Sequence, residues 1–194
     1  MKKILVFTLL LTLIWSCKEE SKQTEINWMT FEEAVAAQKE NPKKIMIDAY
    51  TNWCGPCKML DKQTFNNPDL VAYVNENYYA VKFNAEGNET IKFKGKTYEN
   101  PNYDPAKAEK RNAQHQLAGF FRVEAYPTIL FLDEKADVLT PLKGFYSPEQ
   151  LEIYLNLFAT NAYKTIQTPE EWAKYLEGFK NVFKVGTEEV VPHN

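Results

Sequence analysis

The stretch TNWCGPCKML, residues 51–60, decides how the rest of the chain is read. Two cysteines, Cys54 and Cys57, stand two residues apart with Gly55 and Pro56 between them and Trp53 in front. Such a pair is a structural staple, half of a metal site, or a dithiol that exchanges electrons. A staple across two residues closes almost no loop and gains little chain entropy. Zinc wants four ligands, and beyond these cysteines the chain offers no second pair and only His115 and His193. Pro56 is tolerated in the first turn of a helix, and Lys58-Met59-Leu60 continues with apolar spacing, so Cys54 is placed at a helix N-terminus and Cys57 one turn in.

Upstream, IMIDAY is an apolar run of strand length bounded by turn signals, as a strand buried on both faces would be. Before it, Thr30-Phe31-Glu32-Glu33 is a capping box that opens a helix from 31 to about 40. Downstream, Pro68 restarts a helix through Leu70, Val71 and Val74, and YYAVKFNA reads as the next strand. Strand, helix, strand is a βαβ unit. Residues 86–104 are turn-rich, with a small hairpin indicated by Ile91 and Phe93 around Gly95, and Asp104-Pro105 should cap a helix through about Gly119. EAYPTILFLDEKADVLTPLKGFY then reads as an antiparallel hairpin. Capping boxes at Ser147 and Thr168 open two more helices, the second with Trp172, Leu176 and Phe179 on one face.

The first residues place Lys2 and Lys3 before the apolar run Ile4 to Trp15, which is too short to cross a bilayer of roughly 30 Å. The run reads as a secretory signal over 1–16. Its end, Ile14-Trp15-Ser16-Cys17, resembles the lipobox of bacterial lipoproteins, although Trp15 is bulkier than that pattern usually takes. The resemblance implies acylation of Cys17, a lipid anchor in a membrane, and a mature chain whose only cysteines are Cys54 and Cys57. Cys17-Lys18-Glu19-Glu20 also looks like the lysine-plus-acid signal of surface-exposed outer-membrane lipoproteins. Cleavage would remove two of 23 basic side chains and none of 26 acidic ones, taking the formal net charge from −3 to −5. No basic cluster interleaves with aromatics, which argues against nucleic acid as a partner. The expected division is a signal peptide at 1–16, a flexible tether at 17–27, a domain at 28–160 with an insertion at about 86–112, and a C-terminal helical extension at 161–194.

The element order mixes parallel and antiparallel pairing around the CxxC, and residues 28–158 resemble the thioredoxin superfamily. WCGPCK matches that family's active-site motif, while Tyr50 before it and Thr64-Phe65-Asn66-Asn67-Pro68 after the helix look more like exported thioredoxins of the type that forms the C-terminal domain of DsbD. The resemblance implies an α/β thioredoxin fold, a central mixed sheet flanked by helices, and thiol-disulfide exchange without a cofactor or metal. A free cysteine with a pKa of about 8.5 is only about 3% ionised at pH 7, and a helix N-terminus stabilises the thiolate. Cys54 would then be the nucleophile and Cys57, deeper and more buried, the resolving thiol.

Further matches follow position by position. Asp48 stands where the family holds a buried carboxylate beneath the resolving cysteine, and Lys82 matches the lysine beside it. Tyr126-Pro127 matches the cis-proline loop, and Gly144 the glycine that admits a substrate backbone. Trp53, Gly55, Pro56, Tyr126, Pro127 and Gly144 are therefore expected to bind substrate. Tyr50 departs from the family's tryptophan, and the insertion at 86–112 suggests a recognition element. His115 is expected to face solvent. The implied protein is an exported reductant of disulfides in other exported proteins, facing the periplasm or cell surface of a Gram-negative bacterium and recharged by an inner-membrane donor of DsbD type. Two alternatives stay open: an oxidase or isomerase of the same fold, and a lipoprotein binding module whose CxxC is a redox switch.

Overall fold

The computed structural model describes residues 24–184; residues 1–23, which include the apolar run and Cys17, and residues 185–194 lie outside the described residues. Five strands form one sheet: β1 (Trp28–Met29), β2 (Lys44–Tyr50), β3 (Tyr78–Asn84), β6 (Thr128–Leu132) and β7 (Val138–Lys143). Their order is β1-β3-β2-β6-β7, and a separate hairpin pairs β4 (Ile91–Phe93) with β5 (Lys96–Tyr98). β1, β3 and β2 run parallel, whereas β6 is antiparallel to β2 and β7 to β6.

The two-residue period of a strand divides the core. Ile45, Ile47 and Ala49 of β2 face a layer containing α1 (Phe31–Glu40), the β4–β5 hairpin and α4 (Gln116–Phe120). Met46 faces the opposite layer, built on α2 (Gly55–Gln63), α3 (Pro68–Asn77) and α5 (Pro148–Ala159). Asp48 falls in register with Met46 and so lies on the α2 side. Lys82 falls in register with Ala80 on β3, on that same side, and is the direct partner of Asp48 across the parallel ladder. Helix entry follows the caps read from the sequence: boxes at Thr30, Ser147 and Thr168 are all formed. α2 ends at Gln63 with Thr64 as its cap, and Asn67 and Pro68 start the next helix, the Asn67 side chain accepting from the amides of Asp69 and Leu70.

Three local expectations change. The helix expected from 105 to 119 is a 3₁₀ turn at Pro105–Lys107, an irregular segment, and the short α4. Residues 107–115 lack large apolar side chains at helical spacing, so nothing drives a packed helical face there. His115, expected at the surface, is buried. Its Nδ1 accepts from the Leu117 amide at 3.1 Å and its Nε2 donates to the Glu89 carbonyl at 2.8 Å, so it caps α4 and ties it to the insertion. In α6 (Pro169–Gly178) the inward face is Trp172 and Tyr175, continued by Phe179, while Leu176 is exposed. Trp172 packs against Tyr154 of α5, and the Tyr175 hydroxyl donates to the Ile153 carbonyl, which rotates Leu176 outward.

The extension after α5 does not leave the domain. Glu152 of α5 is 3% exposed and accepts from the Asn181 side chain and from the amides of Val182 and Phe183. Asp69 accepts from the Lys184 amide, and Phe183 is buried against Tyr73 of α3. Residues 181–184 thus return as a strap across α3 and α5.

Candidate active site

Cys54 and Cys57 are joined in a disulfide at the start of α2. Cys54 is the N-cap, and its Sγ accepts from the Cys57 amide at 3.1 Å, so the sulfur sits where the helix leaves its first N–H groups unpaired. The expectation that Cys57 is the more buried of the two does not hold for this oxidised form: each is 2% exposed. The bond holds both sulfurs at the same depth, so what distinguishes them is position, with Cys54 at the cap and Cys57 inside the first turn. Gly55 and Pro56 are exposed beside them, and Pro56 occupies the first turn, where its missing N–H costs nothing.

Beneath α2, Asp48 is 1% exposed and its carboxylate lies 3.0 Å from the Lys82 ammonium. That contact is ionic without hydrogen-bond alignment, and neither Asp48 oxygen has another partner among the described residues. Burial pushes the Asp48 carboxyl up to about 6 against the opposing pull of Lys82. Burial also pulls Lys82 down, but the Asp48 and Asp61 carboxylates outweigh it and leave its ammonium above the ordinary lysine range. Lys82 bonds Asp61 as well, and Trp28, Tyr50 and Phe65 present their rings to it at 4.9, 5.2 and 5.5 Å. Asp61 is half-exposed and lines a groove of about 260 Å³ together with Cys57, Tyr50 and Lys58. The sequence reading missed Asp61. Its spacing of four from Cys57 on a helix is the signal that places both on one face.

On the other flank, the Tyr126–Pro127 bond is cis, and the Tyr126 ring meets Trp53 edge-on at 5.9 Å. Gly144 is held against this loop by its amide, which donates to the Pro127 carbonyl at 2.8 Å. Its φ of +94° is a conformation that favours glycine, and the space where a Cβ would stand is open. The structure thus gathers Trp53, the cysteines, Tyr126, Pro127 and Gly144 at one end of the sheet, with Asp48 and Lys82 directly below.

The insertion joins this group. Glu86 accepts from the Trp53 indole N–H at 2.7 Å and from the Asn112 amide at 2.8 Å through the same oxygen. The Asn52 side chain donates to the Ala108 carbonyl and to Glu109, both at 3.1 Å, and the Arg111 guanidinium stacks 4.8 Å over the Trp53 ring. Burial, with the Glu86 charge added, pushes the Tyr126 phenol up to about 12. None of Asn52, Glu86, Glu109 and Arg111 was marked by the sequence, since only the fold carries 86–112 back to residue 53.

A family model described as a thioredoxin-like domain matches residues 31–159. Two proteins named thiol:disulfide interchange protein DsbD are similar: that of Haemophilus ducreyi is 28% identical over 116 residues, 59% of this chain. That of Pectobacterium atrosepticum is 25% identical over 126 residues, 64% of this chain. The chain spans only 16% and 18% of the length of these relatives. Among solved structures, a thioredoxin-fold protein from Helicobacter pylori matches with a TM-score of 0.53 at 19% identity, covering 75% of this chain and 93% of that one, which bears on the fold alone. The chain therefore belongs to the thioredoxin-like domain family, in the thioredoxin superfamily of disulfide oxidoreductases, and carries in Cys54 and Cys57 a pair that forms a disulfide.

Proposed function

We propose that this protein is an exported thiol-disulfide oxidoreductase that reduces disulfides in other exported proteins. The observation that carries the reading is the Cys54–Cys57 disulfide at a helix N-terminus, with a carboxylate of raised pKa buried on the sheet face below it. In the reduced protein the Cys54 thiolate attacks a substrate disulfide, one sulfur bond forms as another breaks, and the first substrate thiolate leaves. Cys57 then attacks Cys54, giving its proton to Asp48; the protein is left as the Cys54–Cys57 disulfide and the substrate as a dithiol. Lys82 steadies the Asp48 charge, and Asp61 offers that pair an exit to the groove beside Cys57. Trp53, Gly55, Pro56, Tyr126, Pro127 and Gly144 form the face on which an extended substrate segment lies, pairing with the Tyr126 backbone.

Two electrons must be returned after each cycle. Similarity to DsbD supports an inner-membrane donor of that type and a periplasm-facing location, with the chain tethered through acylated Cys17. Insulin reduction by dithiothreitol-charged protein tests the reading. The wild type should precipitate insulin chains catalytically and Cys54→Ser should not; equal rates for the two would refute it.

A further inference from the structure

Arg111 is an exposed cation placed over Trp53, the residue before the buried Cys54–Cys57 pair, and several contacts hold its segment there. Asn112, its neighbour, donates its amide to Glu86, which also takes the Trp53 indole N–H. Ala108 and Glu109, on its other side, are bonded by Asn52. Residues 108–112 are therefore fastened at two points to the two residues that precede Cys54. Between those points the Arg111 guanidinium lies 4.8 Å over the Trp53 ring, and Trp53 touches Tyr126 at the cis-proline loop. Among the described residues no carboxylate stands within ion-pair distance of Arg111, although five other cations in the molecule have such partners. A guanidinium held by stacking keeps its donors free at the edge of its plane.

Two carboxylates lie nearby without pairing with Arg111: buried Glu86 accepts from the Trp53 indole and the Asn112 amide, and Glu109 accepts from the Asn52 side chain at the rim. The groove beside Cys57 carries Lys58 together with Asp61 and Glu109, so the positive charge offered to a substrate on this flank is that of Arg111 and not of the groove.

We propose that Arg111 is a specificity-determining residue, which selects substrate disulfides whose flanking peptide carries an acidic side chain beside the reacting cysteine. This rests on the reading of Cys54 as the attacking thiol. A carboxylate there meets unpaired donors of Arg111 as the segment lies along Tyr126, while a lysine meets a like charge. The contact is at the surface, so its effect is moderate and screened by salt.

The test uses the Cys57→Ser protein and two peptides that differ only in a Glu or a Lys next to a cysteine activated as its thiopyridyl disulfide. Cys54 attacks, the peptide-to-protein disulfide forms, and released thiopyridone reports the rate. The Glu peptide should react about fivefold faster than the Lys peptide at low salt. The ratio should fall toward one at high salt or with Arg111→Gln, and invert with Arg111→Glu. A ratio equal in all three proteins overturns the proposal, and taking a ratio removes any general loss of folding. Reaction with free dithiodipyridine reports Cys54 alone: if that thiol is inert, the reading of the site fails. The selectivity is then measured by calorimetric binding of the reduced peptides to oxidised wild type and Arg111→Glu, where equal affinities overturn it.

Discussion

Asp48 is ionised at neutral pH only against the resistance of its surroundings, because burial raises its carboxyl to about 6 from an ordinary value of 3.8. A carboxyl whose folded pKa lies above its unfolded one contributes stability that is fully present below pH 4 and is lost as pH rises through 6. At pH 8 the cost is on the order of 3 kcal/mol. Asp48→Asn should therefore stabilise the oxidised protein toward urea by about 1–3 kcal/mol at pH 8 and by almost nothing at pH 4. A loss of stability at pH 8 would instead make the Lys82 pair structural. The same substitution should abolish a rise in the rate of mixed-disulfide resolution between pH 5 and 7, measured by stopped flow, since the base works only when ionised. At the cysteines, equal burial in the disulfide leaves the helix terminus as the discriminating force. Iodoacetamide should label Cys54 first in the reduced protein, read by peptide mass; faster labelling of Cys57 would reverse the roles.

At the scale of elements, α2 is aimed by its two ends: Cys54 and Pro56 begin it, and buried Leu60 seats it on the sheet above Asp48. The return of residues 181–184 over α3 and α5 is held by one carboxylate serving three donors. Glu152→Ala would strand the amides of Val182 and Phe183 without their acceptor, at a cost of about 2–3 kcal/mol in urea unfolding. Phe183→Ala should cost about 3 kcal/mol through the cavity it leaves. Changes below about 0.5 kcal/mol for both would show that the strap contributes nothing to the folding unit. Neither substitution should alter the thiol reactivity of Cys54, because the hydrogen bonds that fasten the strap run to α5, to α3 and to the Asn67 cap of α3.

For the whole molecule, the proposed tether has its own test, since Cys17 lies outside the described residues. Wild type should fractionate with membranes and Cys17→Ser should appear in the soluble fraction; a wild type found wholly soluble would sink the anchor. The apolar run that motivates it is independent of the fold, and none of the helices among the described residues is long and apolar enough to cross a membrane.

What the sequence determined by itself was local and periodic. The three capping boxes, the helix restart at Pro68, the buried strand around Asp48 and the CxxC at a helix start all depend on residues within a turn or two of each other, and all are present. Even the pairing of Asp48 with Lys82 was accessible, through the family resemblance and then through strand register. Tertiary structure alone decided what depends on distant segments meeting. Residues 108–115 have no apolar face to pack as a helix, but the path they take instead is set by bonds to Glu86 and Asn52, and His115 is buried where it caps α4 under the insertion. Arg111 over Trp53 and Glu152 under the C-terminal strap belong to the same class. A polar side chain carries no periodic signal of its partner, so its role is fixed only when the folded chain brings that partner within about 3 Å.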